Sequence, residues 1–180
     1  MRIAICTPSR DEVKTSFAYA LIALVQHSHE HDLMLLNERL PDVAKARNRL
    51  VIAALHLKCD KILWLDSDMN FPPHLLEKML ARERPVVGCT YAIKNELSVQ
   101  AEYALTAHDS RDTSRLPGGC MLVDALVYRK LSPPWYVNSD DVPEDWYFCD
   151  RVREQNIPVW LDRLLSVQLA HLGEFSYRLT

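Results

Sequence analysis

Asp66-Ser67-Asp68 follows directly on the apolar run Ile62-Leu63-Trp64-Leu65. Two carboxylates at the mouth of a buried strand are costly unless they hold a cation or are otherwise paired. Their hard oxygens suit magnesium, manganese or calcium better than zinc. A divalent ion held there can neutralise a diphosphate and stabilise it as a leaving group.

Three other readings of the same residues stay open at this level. Asp-Ser-Asp also serves as a solvated turn and helix cap ahead of Pro72-Pro73. Asp66, Asp68, Asn70 and Glu77 fall at positions 1, 3, 5 and 12 of a calcium loop, but its sixth position, which turns sharply and needs Gly, is Phe71. A haloacid-dehalogenase-type phosphatase also places Asp-x-Asp after a strand, with a later acidic pair such as Asp140-Asp141. In that family the motif ends the first strand, whereas here two strand–helix units precede it.

The elements that must position these carboxylates alternate regularly. Arg2–Thr7 is β-rich and stops at Pro8. Asp11 to His27 carries Phe17, Ala20, Leu21, Leu24 and Val25 at helical spacing, and Pro41 to Leu57 carries Val43, Ala46, Leu50, Ala53, Ala54 and Leu57. Asp32–Leu36, Lys61–Leu65 and Pro85–Cys89 read as strands, with a helix over Pro72 to Ala81. This order predicts an α/β protein with a mostly parallel central sheet flanked by helices. In such sheets ligands sit at the carboxyl ends of strands, which singles out Thr7–Arg10 and Asp66–Asn70. Periodicity fades over 91–117, as in a connection or in short strands over the site. Gly118–Val127 reads as a strand running into a short helix, Glu144–Gln155 as a helix, and Pro158–Leu161 and Leu164–Leu169 as closing strands.

Composition sets the bounds. The 180 residues suffice for one core, so a single domain over 1–180 is expected. With 21 basic against 24 acidic residues and a formal charge of −3, bulk composition gives no footprint for nucleic acid. The five cysteines form no C-x-x-C pair and lie mostly in apolar runs, so they are read as reduced thiols of a soluble cytoplasmic protein (the host cytoplasm if phage-encoded). The longest apolar stretch, Phe17 to Val25, is about half a membrane span. His27, His29 and His31 lack a carboxylate pattern and read as a solvated connection.

Six short motifs in order resemble the GT-A glycosyltransferases, a Rossmann-like nucleotide-diphospho-sugar transferase fold, and especially the chitin- and cellulose-synthase-like family with its small bacterial and phage members. They are Thr7-Pro8, Ala46-Arg47-Asn48, Leu65-Asp66-Ser67-Asp68, Gly118-Gly119-Cys120-Met121-Leu122, Pro143-Glu144-Asp145-Trp146 and Ala170-His171-Leu172-Gly173. The resemblance implies a nucleoside-diphosphate sugar as donor, a UDP sugar favoured, bound with Mn²⁺ or Mg²⁺. Thr7, Pro8 and Arg10 would then hold the nucleobase. Arg47, Asp66, Ser67, Gly118 and Gly119 would line the nucleotide sugar. Asp68, with His171 and Asp66, would hold the metal. Asp145 would deprotonate the acceptor hydroxyl while Glu144 orients the acceptor, which is a glycan, a small molecule or a modified DNA base.

Physical chemistry supports those roles: inversion needs a base opposite the leaving group, and Arg47 could offset charge on the departing diphosphate. Taken singly, Glu144-Asp145 also fits plain stabilisation of a helix N-terminus, and Gly118-Gly119 after Pro117 a plain turn. The usual Thr or Ser before Glu144 is replaced by Pro143, and the Q-x-x-R-W motif of processive synthases is missing. A non-processive transferase is the leading reading. The phosphatase and a non-catalytic nucleotide-sugar-binding module are the alternatives, and the oligomeric state is left open.

Overall fold

The computed structural model describes residues 1–92, 110–173 and 176–177. Its centre is a seven-stranded sheet in the order β2-β1-β3-β7-β5-β8-β6. In chain order these strands are β1 (Arg2–Ser9), β2 (Asp32–Arg39), β3 (Lys61–Leu65), β5 (Val86–Gly88), β6 (Ser110–Thr113), β7 (Cys120–Asp124) and β8 (Val159–Asp162). β2, β1 and β3 run parallel; β7 is antiparallel to both β3 and β5, and β5 is parallel to β8. β6 is antiparallel to β8, so among the described strands of this sheet only β7 and β6 oppose the common direction, which is the mostly parallel α/β sheet expected.

The period-two alternation of strands divides the core into two layers. Ala4, Cys6, Ile62, Trp64, Met121 and Val123 face α2 (Val43–His56), α4 (Ala125–Lys130) and α5 (Glu144–Glu154). Ile3, Ile5, Leu63, Leu65, Cys120 and Leu122 face α1 (Thr15–His27), α3 (Leu75–Leu80) and α6 (Arg163–Ser166). β1 and β3 are buried on both faces, as helix-covered parallel strands are. The edge strand β2 instead alternates between part-buried and exposed positions.

Two departures from the sequence reading bear on the site. Leu164–Leu169, expected as a strand, begins as the short helix α6, because the Asp162 carboxylate accepts from Leu165 N at 3.0 Å and caps a turn. A short apolar run cannot by itself tell strand from helix. A strand follows only later, at β9 (Ala170–Leu172), in a second, three-stranded sheet with β4 (Met69–Asn70) and β10 (Ser176–Tyr177). Of the expected connection over 91–117, residues 93–109 lie outside the described ones. His31, read as a loop residue, reaches Glu77 at 3.4 Å.

Candidate active site

The carboxyl end of β3 delivers Asp66, Ser67 and Asp68 to one rim of the sheet. β4 starts at the next residue and pairs antiparallel with β9, Met69 opposite His171 and Asn70 opposite Ala170. Leu172 N donates to Asp68 O at 2.7 Å, clamping the two segments together. This pairing carries His171 Nε2 to 3.4 Å from Asp68 Oδ2 across more than a hundred residues of chain. The other ring nitrogen, Nδ1, lies 3.1 Å from the carbonyl of Ala92, which can only accept. Nδ1 therefore carries the hydrogen, and in the neutral ring Nε2 turns its lone pair toward Asp68.

An oxygen and an imidazole nitrogen presented side by side, with the imidazole steered by a backbone carbonyl, are groups that could serve as two ligands of a divalent metal. Among the described residues no group of three or more His, Cys, Asp or Glu side chains could hold a metal ion. Asp66 in particular is not gathered with Asp68 and His171: its Oδ1 accepts from Arg47 Nη2 at 2.9 Å. A metal would thus rest on two protein donors and on oxygens brought by its substrate.

Arg47 organises the other half of the site. It sits on the buried face of α2, 2% exposed, with its guanidinium 5.2 Å from the Trp64 ring centroid and 5.9 Å from that of Tyr136. It donates to Glu144 Oε1 at 3.2 Å, Gly118 O at 3.3 Å and Asp66 Oδ1 at 2.9 Å. Burial alone would lower its pKa, but Asp66 and Glu144 outweigh that and hold it charged. Asp66 is raised from the ordinary carboxylate range, chiefly by lost hydration and then by Asp68 and Glu144, with Arg47 opposing. The neighbouring Asn48 accepts from Trp135 N and Tyr136 N, fixing the loop that brings Tyr136 against Arg47.

Glu144 and Asp145 open α5, where acidic side chains suit the positive end of the helix. They point to different partners. Glu144 is buried against Arg47, whereas Asp145 Oδ2 accepts from Gly118 N at 2.8 Å. Both glycines stand where an added side chain would force a neighbour to move. A Cβ at Gly118 would lie 2.6 Å from Arg47 Nη2, and one at Gly119 would lie 2.3 Å from the Tyr91 hydroxyl.

Tyr91 was not anticipated from sequence. Its hydroxyl accepts from Gly119 N at 3.0 Å, and its ring meets that of His171 edge-on at 5.2 Å. Burial, then the nearby Asp66, pushes its pKa well above the usual phenol value, so it stays a neutral hydroxyl. The signal for it was positional: Tyr91 lies just past the carboxyl end of β5, where α/β sheets put functional groups.

A cavity of about 530 Å³ opens beside the acidic loop, lined by Pro8, Ser9, Arg10, Glu12, Lys14, Leu40, Pro41, Val43, Asp66, Ser67 and Asp68. Pro8, Arg10, Asp66, Ser67 and Asp68 are thus brought together. Thr7 is not: strand alternation turns it to the other face of the sheet, where it lines an apolar groove with Ile5, Val13 and Phe17. Gly118 and Gly119 stand behind Asp66, whose backbone N–H donates to Gly119 O at 3.1 Å.

A helix-covered, mostly parallel sheet with an Asp-Ser-Asp loop at a strand mouth, a late histidine beside it and an acidic helix start opposite is the arrangement that the resemblance to GT-A glycosyltransferases implies. The comparisons agree and supply the family. Residues 13–114, more than half of the chain, match the Anp1 family, a mannosyltransferase-like glycosyltransferase family, and the chain belongs to it. No curated protein matches. Among solved structures, the chain is similar to A197 from STIV, with 18% identity, a TM-score of 0.66, and 96% of this chain and 86% of that one covered. It is also similar to GalNAc-T7, crystallised with UDP, GalNAc and Mn²⁺, with 10% identity, a TM-score of 0.64, and 98% of this chain but only 43% of that one covered. At these identities the two likenesses show the fold. Family membership decides for glycosyl transfer over the phosphatase reading.

Proposed function

We propose that the chain moves a sugar from a metal-bound nucleoside diphosphate to an acceptor hydroxyl, with inversion and without processivity. The observation that carries this is the Asp68–His171 pair, Nε2 to Oδ2 at 3.4 Å, with Nδ1 engaged by Ala92 O. A mixed carboxylate–imidazole set favours Mn²⁺ over Mg²⁺, since magnesium prefers oxygen throughout. Bound there, the ion would neutralise a diphosphate and stabilise its departure. GalNAc-T7 was crystallised with UDP and Mn²⁺, which supports the same donor class and metal here.

The chain's own residues supply the rest. Pro8 and Arg10 border the nucleotide end of the cavity, and Asp66, held by Arg47, faces the sugar end. Asp145, oriented by Gly118 N, takes the proton of the acceptor hydroxyl. Glu144 is committed to Arg47 and positions it. Calorimetric titration of UDP and GDP, with Mn²⁺ and with excess chelator, tests the reading. Tight binding that needs metal and is lost in Asp68→Ala is expected; affinity indifferent to chelator would remove the proposed metal site.

A further inference from the structure

Resting on that donor-site reading, we infer that Lys14 is the cation that binds the diphosphate of the donor, the part sequence alone gives to Arg47. Arg47 is not available for it. Its side chain is 2% exposed, and its guanidinium already donates to Asp66, Glu144 and the Gly118 carbonyl. A diphosphate seated beside Asp68 must find its positive partner among groups that face the cavity, and the cations lining it are Arg10 and Lys14.

Of these two, Lys14 is tied to the acidic loop. Its backbone N–H donates to Ser67 O at 3.1 Å, so its Cα is fixed beside the carbonyl between Asp66 and Asp68. Arg10 lies four residues earlier and also borders a separate cleft with Asp11, Arg39 and Pro41. Lys14 is, moreover, a poor residue for its structural position. It occupies the N-cap of α1 with no side-chain cap bond, and the first turn of that helix holds no acidic residue. Ser, Thr, Asp or Asn would cap better, and a cation there opposes the helix dipole. An anion in the cavity reverses that cost, because ammonium and helix end then act on the same charge.

The metal offsets only part of a nucleoside diphosphate's charge, and that charge grows as the sugar leaves. A lysine ammonium is a mobile point charge that suits phosphate oxygens. It can follow the diphosphate as it separates from the sugar. Glu12, Asp66 and Asp68 also line the cavity, so without the metal and the lysine its field would repel the donor.

The test compares the full chain with Lys14→Ala and Lys14→Arg by calorimetry in Mn²⁺, using UDP, GDP, uridine and guanosine as probes. Lys14→Ala should weaken the diphosphate that the wild type binds by about 10- to 100-fold, the worth of one charge-assisted hydrogen bond. It should leave the matching nucleoside unchanged and flatten the salt dependence. Lys14→Arg should retain most of the affinity, and thermal melts should stay near wild type. Equal diphosphate binding by wild type and Lys14→Ala overturns the inference alone, as does an equal loss for nucleoside and diphosphate. A wild type that binds neither UDP nor GDP overturns the donor-site reading beneath it.

Discussion

Arg47 makes the most exacting test of how the site is built. Replacement by Met keeps much of the side-chain volume between the Trp64 and Tyr136 rings but removes three hydrogen bonds, to Glu144, Gly118 O and Asp66. Asp66, at 30% side-chain exposure, can regain water; Glu144, at 11%, is left as a buried unpaired carboxylate. Breaking a buried pair in this way costs about 3–5 kcal/mol, a large part of a typical domain stability of about 5–15 kcal/mol. For a domain of this size that lowers Tm by roughly 6–20 °C, at about 2–4 °C per kcal/mol. Much of the loss is the stranded charge and not the lost bond, so Arg47→Met/Glu144→Gln should be more stable than Arg47→Met alone. Urea denaturation and thermal melts of the two single mutants and the double mutant give the coupling energy. If Arg47→Met melts within about 2 °C of wild type, or the two changes simply add, Arg47 does not tie α2 to α5 and its assignment as a structural cation is wrong.

Asp145→Asn should leave donor affinity nearly unchanged while transfer falls by about 10²–10⁴-fold, or about 3–5 kcal/mol of barrier; near-normal transfer in single-turnover kinetics would move the base elsewhere. Gly118→Ala places a Cβ 2.6 Å from Arg47 Nη2 and 3.2 Å from Asp145 Cβ. It should destabilise by about 1–3 kcal/mol and depress transfer more than donor binding, read from melts and kinetics on one preparation. Asp150 is held below the usual carboxylate range by its two bonds to Arg115, at 2.8 and 2.7 Å. A carboxylate lowered on folding stabilises above its unfolded pKa of about 3.9, and the contribution fades as pH falls through the folded value. Asp150→Asn should therefore flatten the fall of Tm below about pH 4 and matter less there than at pH 7. The pair is solvent-screened, so the effect should be small.

The layered architecture was legible because burial on both faces writes itself into β1 and β3 as continuous apolar runs, and into α1 and α2 as stripes. The rim residues were legible too, since Asp66–Asp68 must stand at the carboxyl end of Lys61–Leu65. What composition and periodicity could not give were the non-local contacts. β4 is two residues long and β9 three, too short for any periodic signal, yet their pairing sets His171 beside Asp68. For Arg47 the pattern itself holds the clue. Ala44, Leu50, Val51 and Ala54 are the buried stripe of α2, and Arg47 lies on it three residues from both Ala44 and Leu50. A charge on an apolar stripe is almost always paired, which argues for a structural partner before it argues for a substrate. The expected strand over Leu164–Leu169 failed for a local reason, because Asp162 caps the turn that follows it.

Helical geometry explains how two adjacent carboxylates come to serve different ends. Successive helix residues project about 100° apart, so Glu144 and Asp145 cannot share one environment. Glu144 turns into the core, where Arg47 is its partner. Asp145 turns to the Gly118 amide, a weaker and neutral partner that orients it without neutralising it. A base must remain unpaired by a full positive charge if it is to accept a proton from a hydroxyl, and of the two only Asp145 meets that condition. Arg47 links both sides: through Glu144 it fixes the start of α5, and through Asp66 it fixes the mouth of β3. The cavity beside Asp66 and the acidic helix start are thereby held in register by one buried cation. A substitution at Arg47 should accordingly disturb transfer through geometry even where nucleotide binding survives.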